Sequence, residues 1–179
     1  PATVYRVGSI TKQFTAALVL QLADAGRLRL ADTLGAYLPQ YPRWGRVTLR
    51  QLLNQTSGLP SYTASAAWQA RMRDALAPDT VLAFVADAPA RFAPGERYEY
   101  SNTNYFLLGR VLERVTGRPY AELVRERVFR PLGMRTAAYC PDQPAGPGDA
   151  RGYDGPGTPR PAAPLSMTSP YSAGALCMA

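Results

Sequence analysis

The sequence has no histidine and, among its 20 basic residues, one lysine, Lys12; the other 19 are arginine. Without histidine, Ser-His-Asp and Cys-His chemistry are excluded, and so are most zinc sites. The two cysteines, Cys140 and Cys177, lack metal-ligand spacing, and the sequence leaves open whether they pair. No apolar run reaches the ~18 residues that a membrane-spanning helix needs. No signal-peptide pattern is found within these residues. The net charge of +7 comes from arginines scattered along the chain. There is no basic cluster with interleaved aromatics, so nucleic acid is not an expected partner.

What is present reads as one globular domain. Hydrophobic residues make up 46% of the 179 positions and charged residues 18%, enough for a sizeable core. No internal repeat is found. Residues 9–25 predict a helix, with Ile10, Phe14, Ala17, Leu18, Leu22 and Ala25 on one stripe and Gly26 as its stop. Thr48 to Gln51 has the pattern of a capping box that opens a short helix. Asp79, after Pro78, predicts a helix to about Asp87. Helical spacing returns over 103–116 with Gly117 as the stop, and Pro119 opens another helix to about Arg130. Short strands are expected near 136–140 and 150–153, and residues 141–164, rich in proline and glycine, as a long irregular loop.

The lone lysine stands three residues after Ser9, at the start of the first expected helix. On a helix this spacing puts both side chains on one face. A serine hydroxyl there meets backbone N–H donors and the positive end of the dipole, which suits a nucleophile whose oxyanion needs donors. Lysine can serve as its base once burial or nearby cations draw its pKa down; arginine cannot. In a chain that otherwise uses arginine, the single lysine marks a place where arginine fails. A solvated lysine beside a capping serine would show the same spacing. Tyr100-Ser101-Asn102 forms a second pattern, just before a helix. A phenol near an ammonium can act as a base, and an amide can hold a substrate amide. Loop packing and helix capping fit that pattern equally.

Taken together the motifs are far more specific. "GSITK", "LLNQTSGLP" at 52–60, "PGERYEYSN", "LLGRVLERVTG" and "PLGM" at 131–134, in this order, resemble the serine β-lactamase and penicillin-binding-protein superfamily. Within it they resemble the class C β-lactamase-related branch, which also holds esterases, D-aminopeptidases and D-Ala-D-Ala carboxypeptidases. "SAGAL" at 172–176 resembles a further family segment. The resemblance implies an α/β fold, an antiparallel sheet flanked by helices plus a helical region, of which this chain is mostly the helical part. It implies Ser9 as the acylated nucleophile, whose backbone N–H forms half of the oxyanion hole. Lys12 and Tyr100 would be a coupled acid/base pair, and Asn102 would hold the substrate and help position Lys12. It implies small esters, D-amino-acid peptides or β-lactams as substrates, with no metal and no organic cofactor, and a periplasmic or secreted location. The alternative is an inactive relative that binds peptidoglycan-like peptides.

Some features depart from the family pattern. Gln55 stands where family members often have histidine, a position we read as structural. "SITK" and "YSN" differ from the Ser-Val-Ser-Lys and Tyr-Ala-Asn of dedicated cephalosporinases, and fit the broad hydrolase branch better. The third family motif, Lys-Thr-Gly or His-x-Gly on a strand, is absent. The expectation is therefore a partial domain over 1–179, lacking the N-terminal strands and the third-motif strand, with little turnover by itself.

Overall fold

A helix that is apolar nearly all round its first half must lie at the centre of a fold. Asn102–Thr116 is that helix here (α5), with Phe106, Leu107, Leu108, Val111 and Leu112 fully buried. The structure, a computed structural model, describes residues 3–140, 146, 148–155 and 157–179. The earlier elements are a strand Tyr5–Arg6 (β1) and helices Thr11–Asp24 (α1), Leu49–Leu53 (α2), Ala66–Arg71 (α3) and Pro78–Ala83 (α4). After α5 come a helix Tyr120–Val124 (α6) and strands Ala138–Tyr139 (β2), Tyr153–Asp154 (β3) and Arg160–Pro161 (β4). A short helix Tyr171–Gly174 (α7) and a strand Leu176–Met178 (β5) close the described order.

Helix α5 packs against α1, α2 and α7, and α1 also packs against α7. Each fully buried leucine or phenylalanine in this core contributes about 1.5–3 kcal/mol. The α5–α7 contact is close because position 109 is glycine. A Cβ there would lie 2.0 Å from Ser172 Oγ. Ser172 Oγ then donates to the Tyr105 carbonyl at 2.8 Å, which pins the "SAGAL" segment to α5.

The main sheet is small and antiparallel, in the order β1-β5-β2. Its central strand sends Leu176 into the core, and its Cys177 forms a disulfide with Cys140 just after β2. A separate hairpin pairs β3 with β4.

Several boundaries differ from the sequence reading. The α-helix begins at Thr11, not at residue 9; a 3-10 turn over Gly8–Ile10 precedes it. It ends at Asp24, and Gly26 turns the chain away with paired bonds from Gly26 N–H to the Ala23 carbonyl and Arg27 N–H to the Leu22 carbonyl. The capping box at Thr48 and Gln51 forms as expected. Helix α4 stops at Ala83, short of its expected end, whereas α6 continues as a π-helical turn over Arg125–Phe129, so that helical stretch reaches its expected end near Arg130. The hairpin β3–β4 reaches into the stretch expected to be irregular, part of which (141–145, 147 and 156) lies outside the described residues.

Candidate active site

The chain enters the site from β1, which β5 holds in register. Val7 N–H donates to the Leu176 carbonyl at 3.0 Å, so the residues just before the nucleophile candidate are tied to the sheet. Gly8 then turns the chain at φ +53°, a backbone state that L-residues with a Cβ rarely adopt. That turn presents Ser9 at the surface, one residue pair ahead of α1.

Lys12, on the first turn of α1, is only 7% exposed. Its Nζ donates to Ser9 Oγ at 3.1 Å, to Asn102 Oδ1 at 2.8 Å and to the Ala173 carbonyl at 2.8 Å. Three acceptors match the three ammonium protons. No carboxylate pairs with Lys12 among the described ion pairs. Burial without a countercharge disfavours the charged form, and lowers the Lys12 pKa from 10.5 to about 8. A neutral amine in this place keeps two protons for Asn102 and Ala173, and turns its lone pair toward Ser9.

Tyr100 approaches from the other side, on the loop before α5. Its Oη lies 2.6 Å from Ser9 Oγ and 3.3 Å from Asn102 Oδ1. Its ring lies 4.8 Å from Lys12 Nζ, measured to the centroid. Asn102 opens α5, with Ser101 rather than Asn102 in the capping position. Asn102 Oδ1 accepts from both Lys12 and Tyr100, while Nδ2 donates to Thr63 Oγ1 at 3.2 Å. The structure thus brings together all four residues singled out in the sequence: Ser9, Lys12, Tyr100 and Asn102.

Other groups at the site were not among the site residues singled out in the sequence. Ser61 Oγ accepts from Asn102 N–H at 3.1 Å and bonds Thr63 Oγ1 at 2.9 Å. Ala173 contributes only a carbonyl, which no side-chain pattern could disclose. Behind it, Thr15 Oγ1 donates to the Ser172 carbonyl at 2.7 Å and meets Tyr120 Oη at 2.8 Å, which fixes α7 against α1.

Beside Ser9 opens a cavity of about 280 Å³, lined by Tyr62, Trp68, Leu165, Met167 and Pro170 among others. Its walls are mostly apolar, with Asn102 and Thr63 as the polar edge and Arg6 also on the lining. A larger cleft of about 580 Å³ runs past Tyr37, Arg110 and Arg118 but shares no lining residue with it. Ser9 and Asn102 line the smaller one. Among the described residues no group of three or more His, Cys, Asp or Glu could hold a metal ion. No helix there is long and apolar enough to cross a membrane.

Comparison with known proteins identifies the family of the fold. Residues 1–179 match the family described as Beta-lactamase. The chain is 30% identical over 180 residues to the putative penicillin-binding protein PbpX of Bacillus subtilis, covering 99% of this chain and 44% of that protein. A D-stereospecific amidohydrolase from Streptomyces superposes with a TM-score of 0.86 at 33% identity, over 99% of this chain and 57% of that one. A D-amino acid amidase from Ochrobactrum anthropi, complexed with D-phenylalanine, superposes with a TM-score of 0.83 at 26% identity, over 98% and 53%. The chain spans less than half the length of the curated relatives it matches. Matched along its whole length, and carrying helices and antiparallel sheet arranged as in these structures, the chain belongs to the Beta-lactamase family, within the superfamily of serine β-lactamases and penicillin-binding-protein-like hydrolases.

Proposed function

We propose that the protein is a serine hydrolase that transfers an acyl group to water through an ester on Ser9. The observation that carries this reading is one hydroxyl, Ser9 Oγ, within hydrogen-bond reach of both a buried lysine and a phenol, at 3.1 Å and 2.6 Å. The Ser9 proton passes to Lys12 or Tyr100 as Oγ attacks the substrate carbonyl. Tyr100 gives a proton to the departing group, and the C–N or C–O bond breaks. Water then attacks the acyl-serine, losing its proton to the same pair, and Ser9 is released with its proton restored. The two groups share Ser9, and the Tyr100 ring lies against Lys12 Nζ. Ser9 N–H, at the turn leading into α1, is one donor to the oxyanion.

The cavity supports a choice of substrate class. Apolar and aromatic walls of about 280 Å³ suit a small apolar side chain, with Asn102 amide and Thr63 hydroxyl for its polar backbone. D-configured amino-acid amides or short peptides come first, a choice supported by what the Streptomyces and Ochrobactrum proteins are described as acting on or binding. Small esters and β-lactams are the further candidates. The location we propose is periplasmic or secreted, which the Cys140–Cys177 disulfide supports, since such bonds persist in oxidising compartments.

The test is covalent labelling of the full-length protein with a fluorophosphonate, followed by peptide mass spectrometry and by turnover assays on D-phenylalanine amide. Label on Ser9, its loss in Ser9→Ala, and turnover that survives EDTA are expected. Label on Ser9 without turnover of any ester, D-amide or β-lactam would favour the inactive, peptide-binding relative. Label that persists in Ser9→Ala would remove Ser9 from the mechanism.

A further inference from the structure

Tyr100 is held at its oxygen by Ser9 and Asn102, yet the residue is 44% exposed and its loop has no strand or helix of its own. Something else must fix the backbone that carries it. Two backbone N–H groups of its loop, one on the residue before it and one on the residue after it, end on one residue. Glu99 N–H donates to the Gln55 carbonyl at 3.0 Å, and Ser101 N–H donates to Gln55 Oε1 at 3.0 Å. Gln55 is itself locked. Asn104 Nδ2 donates to the same Oε1 at 2.6 Å, and Asn104 Oδ1 accepts from Ser57 Oγ at 2.5 Å. Gln55 and Asn104 are 6% and 0% exposed, so water does not compete for these bonds. Gln55 also holds φ at 63°, a left-handed state that is unfavourable for a non-glycine residue and persists only where surroundings impose it.

We infer that Gln55 is the positioning residue for Tyr100: it clamps the backbone on both sides of the phenol and thereby sets the Tyr100–Ser9 contact. Gln55 does not touch the reacting hydroxyl. It acts through the loop, from a segment some 45 residues earlier in the chain. Two accepted bonds converge on one amide oxygen, so the length of the side chain, not just its polarity, matters. A shorter or non-accepting residue frees the Ser101 peptide and lets the phenol drift. A displacement of about 1 Å at a catalytic group can cost on the order of 10²-fold in rate.

The inference rests on the reading of Tyr100 as acid/base in the proposed function, and a mutant cycle separates the two. Gln55→Met keeps the length of the side chain and removes the acceptor. Gln55→Asn keeps an amide but draws it back by one methylene, and asparagine tolerates the left-handed backbone, so it serves if the methionine variant does not fold. Acylation of the full-length protein by p-nitrophenyl acetate is followed as the pre-steady-state release of p-nitrophenol, in the wild-type and Tyr100→Phe backgrounds. With Tyr100 present, either Gln55 variant is expected to slow acylation by roughly 10- to 100-fold. In Tyr100→Phe, itself slow, the same substitution is expected to change the rate by less than about 2-fold, because nothing is left to position. A merely structural role would give the same loss in both backgrounds, and that result overturns the inference alone. So does an unchanged rate with Tyr100 present. A Tyr100→Phe protein that acylates as fast as wild type overturns the reading of Tyr100, and the inference with it.

Discussion

The two walls of the site are held in different ways. On the α1 wall, Ser9 and Lys12 are three residues apart at a helix start, so local geometry alone makes them neighbours. On the loop wall, Tyr100 and Asn102 come into place only through bonds to distant segments: Gln55, Ser61 and Thr63. The first wall is set by turns and burial, the second by a polar network that crosses the fold. Damage to the first should therefore abolish chemistry while geometry survives. Damage to the second should loosen geometry in graded steps.

The largest effect is expected at Lys12. Lys12→Arg keeps the charge but not a removable proton, and acylation should fall by roughly 10²–10⁴-fold. Stopped-flow or timed labelling measures this; a rate near wild type would make Lys12 a bystander. Tyr100→Phe comes next, with a loss of about 10²–10³-fold. Its pH profile sharpens the comparison. If the α1 wall supplies the base for Ser9, the residual rate still climbs through about pH 8, where Lys12 loses its proton. If the loop wall supplies it, almost no pH-dependent rate remains.

Stability should carry the same signature. The folded Lys12 pKa of about 8 lies below the ordinary 10.5, so between those values the unfolded chain binds the proton more tightly. The cost of burying the charge is fully present below about pH 8 and is relieved as pH rises toward 10.5. Wild type should therefore gain on Lys12→Met by up to about 3 kcal/mol across that window, read from denaturant unfolding. A difference that stays flat with pH would mean that Lys12 is solvated. The smallest effect belongs to the edge of the loop wall. Thr63→Val removes the acceptor for Asn102 Nδ2 and should slow acylation only about 5-fold, the worth of one neutral hydrogen bond. A loss as large as that of Tyr100→Phe would mean that the loop wall fails all at once, not in steps.

The contrast between the walls also explains what could be read in advance. Helices α1 and α5 announce themselves by apolar spacing and by the glycines that stop them, Gly26 and Gly117. The motif residues Ser9, Lys12, Tyr100 and Asn102 are visible because each has a side chain suited to the chemistry. Ser61 and Thr63 look like ordinary loop polars, and their meaning depends on contacts about 40 residues away. Gln55 was legible as a departure from the family pattern and as structural, but its two grips on the Tyr100 loop were not. Ala173 acts through its carbonyl, so its side chain carries no trace of the role. Helix α4 ends short of its apolar pattern because turns take over at Phe84, where apolar spacing continues.

The central claim is that a buried lysine, made easy to deprotonate by the fold, meets a phenol at one serine. Its most direct test is the titration of Lys12 by NMR, with lysine labelled at its terminal carbon and the signal assigned by its loss in Lys12→Arg. The account expects an inflection at about pH 8, against an ordinary 10.5. A Lys12 that titrates at or above about 10, as a solvated lysine does, would contradict it.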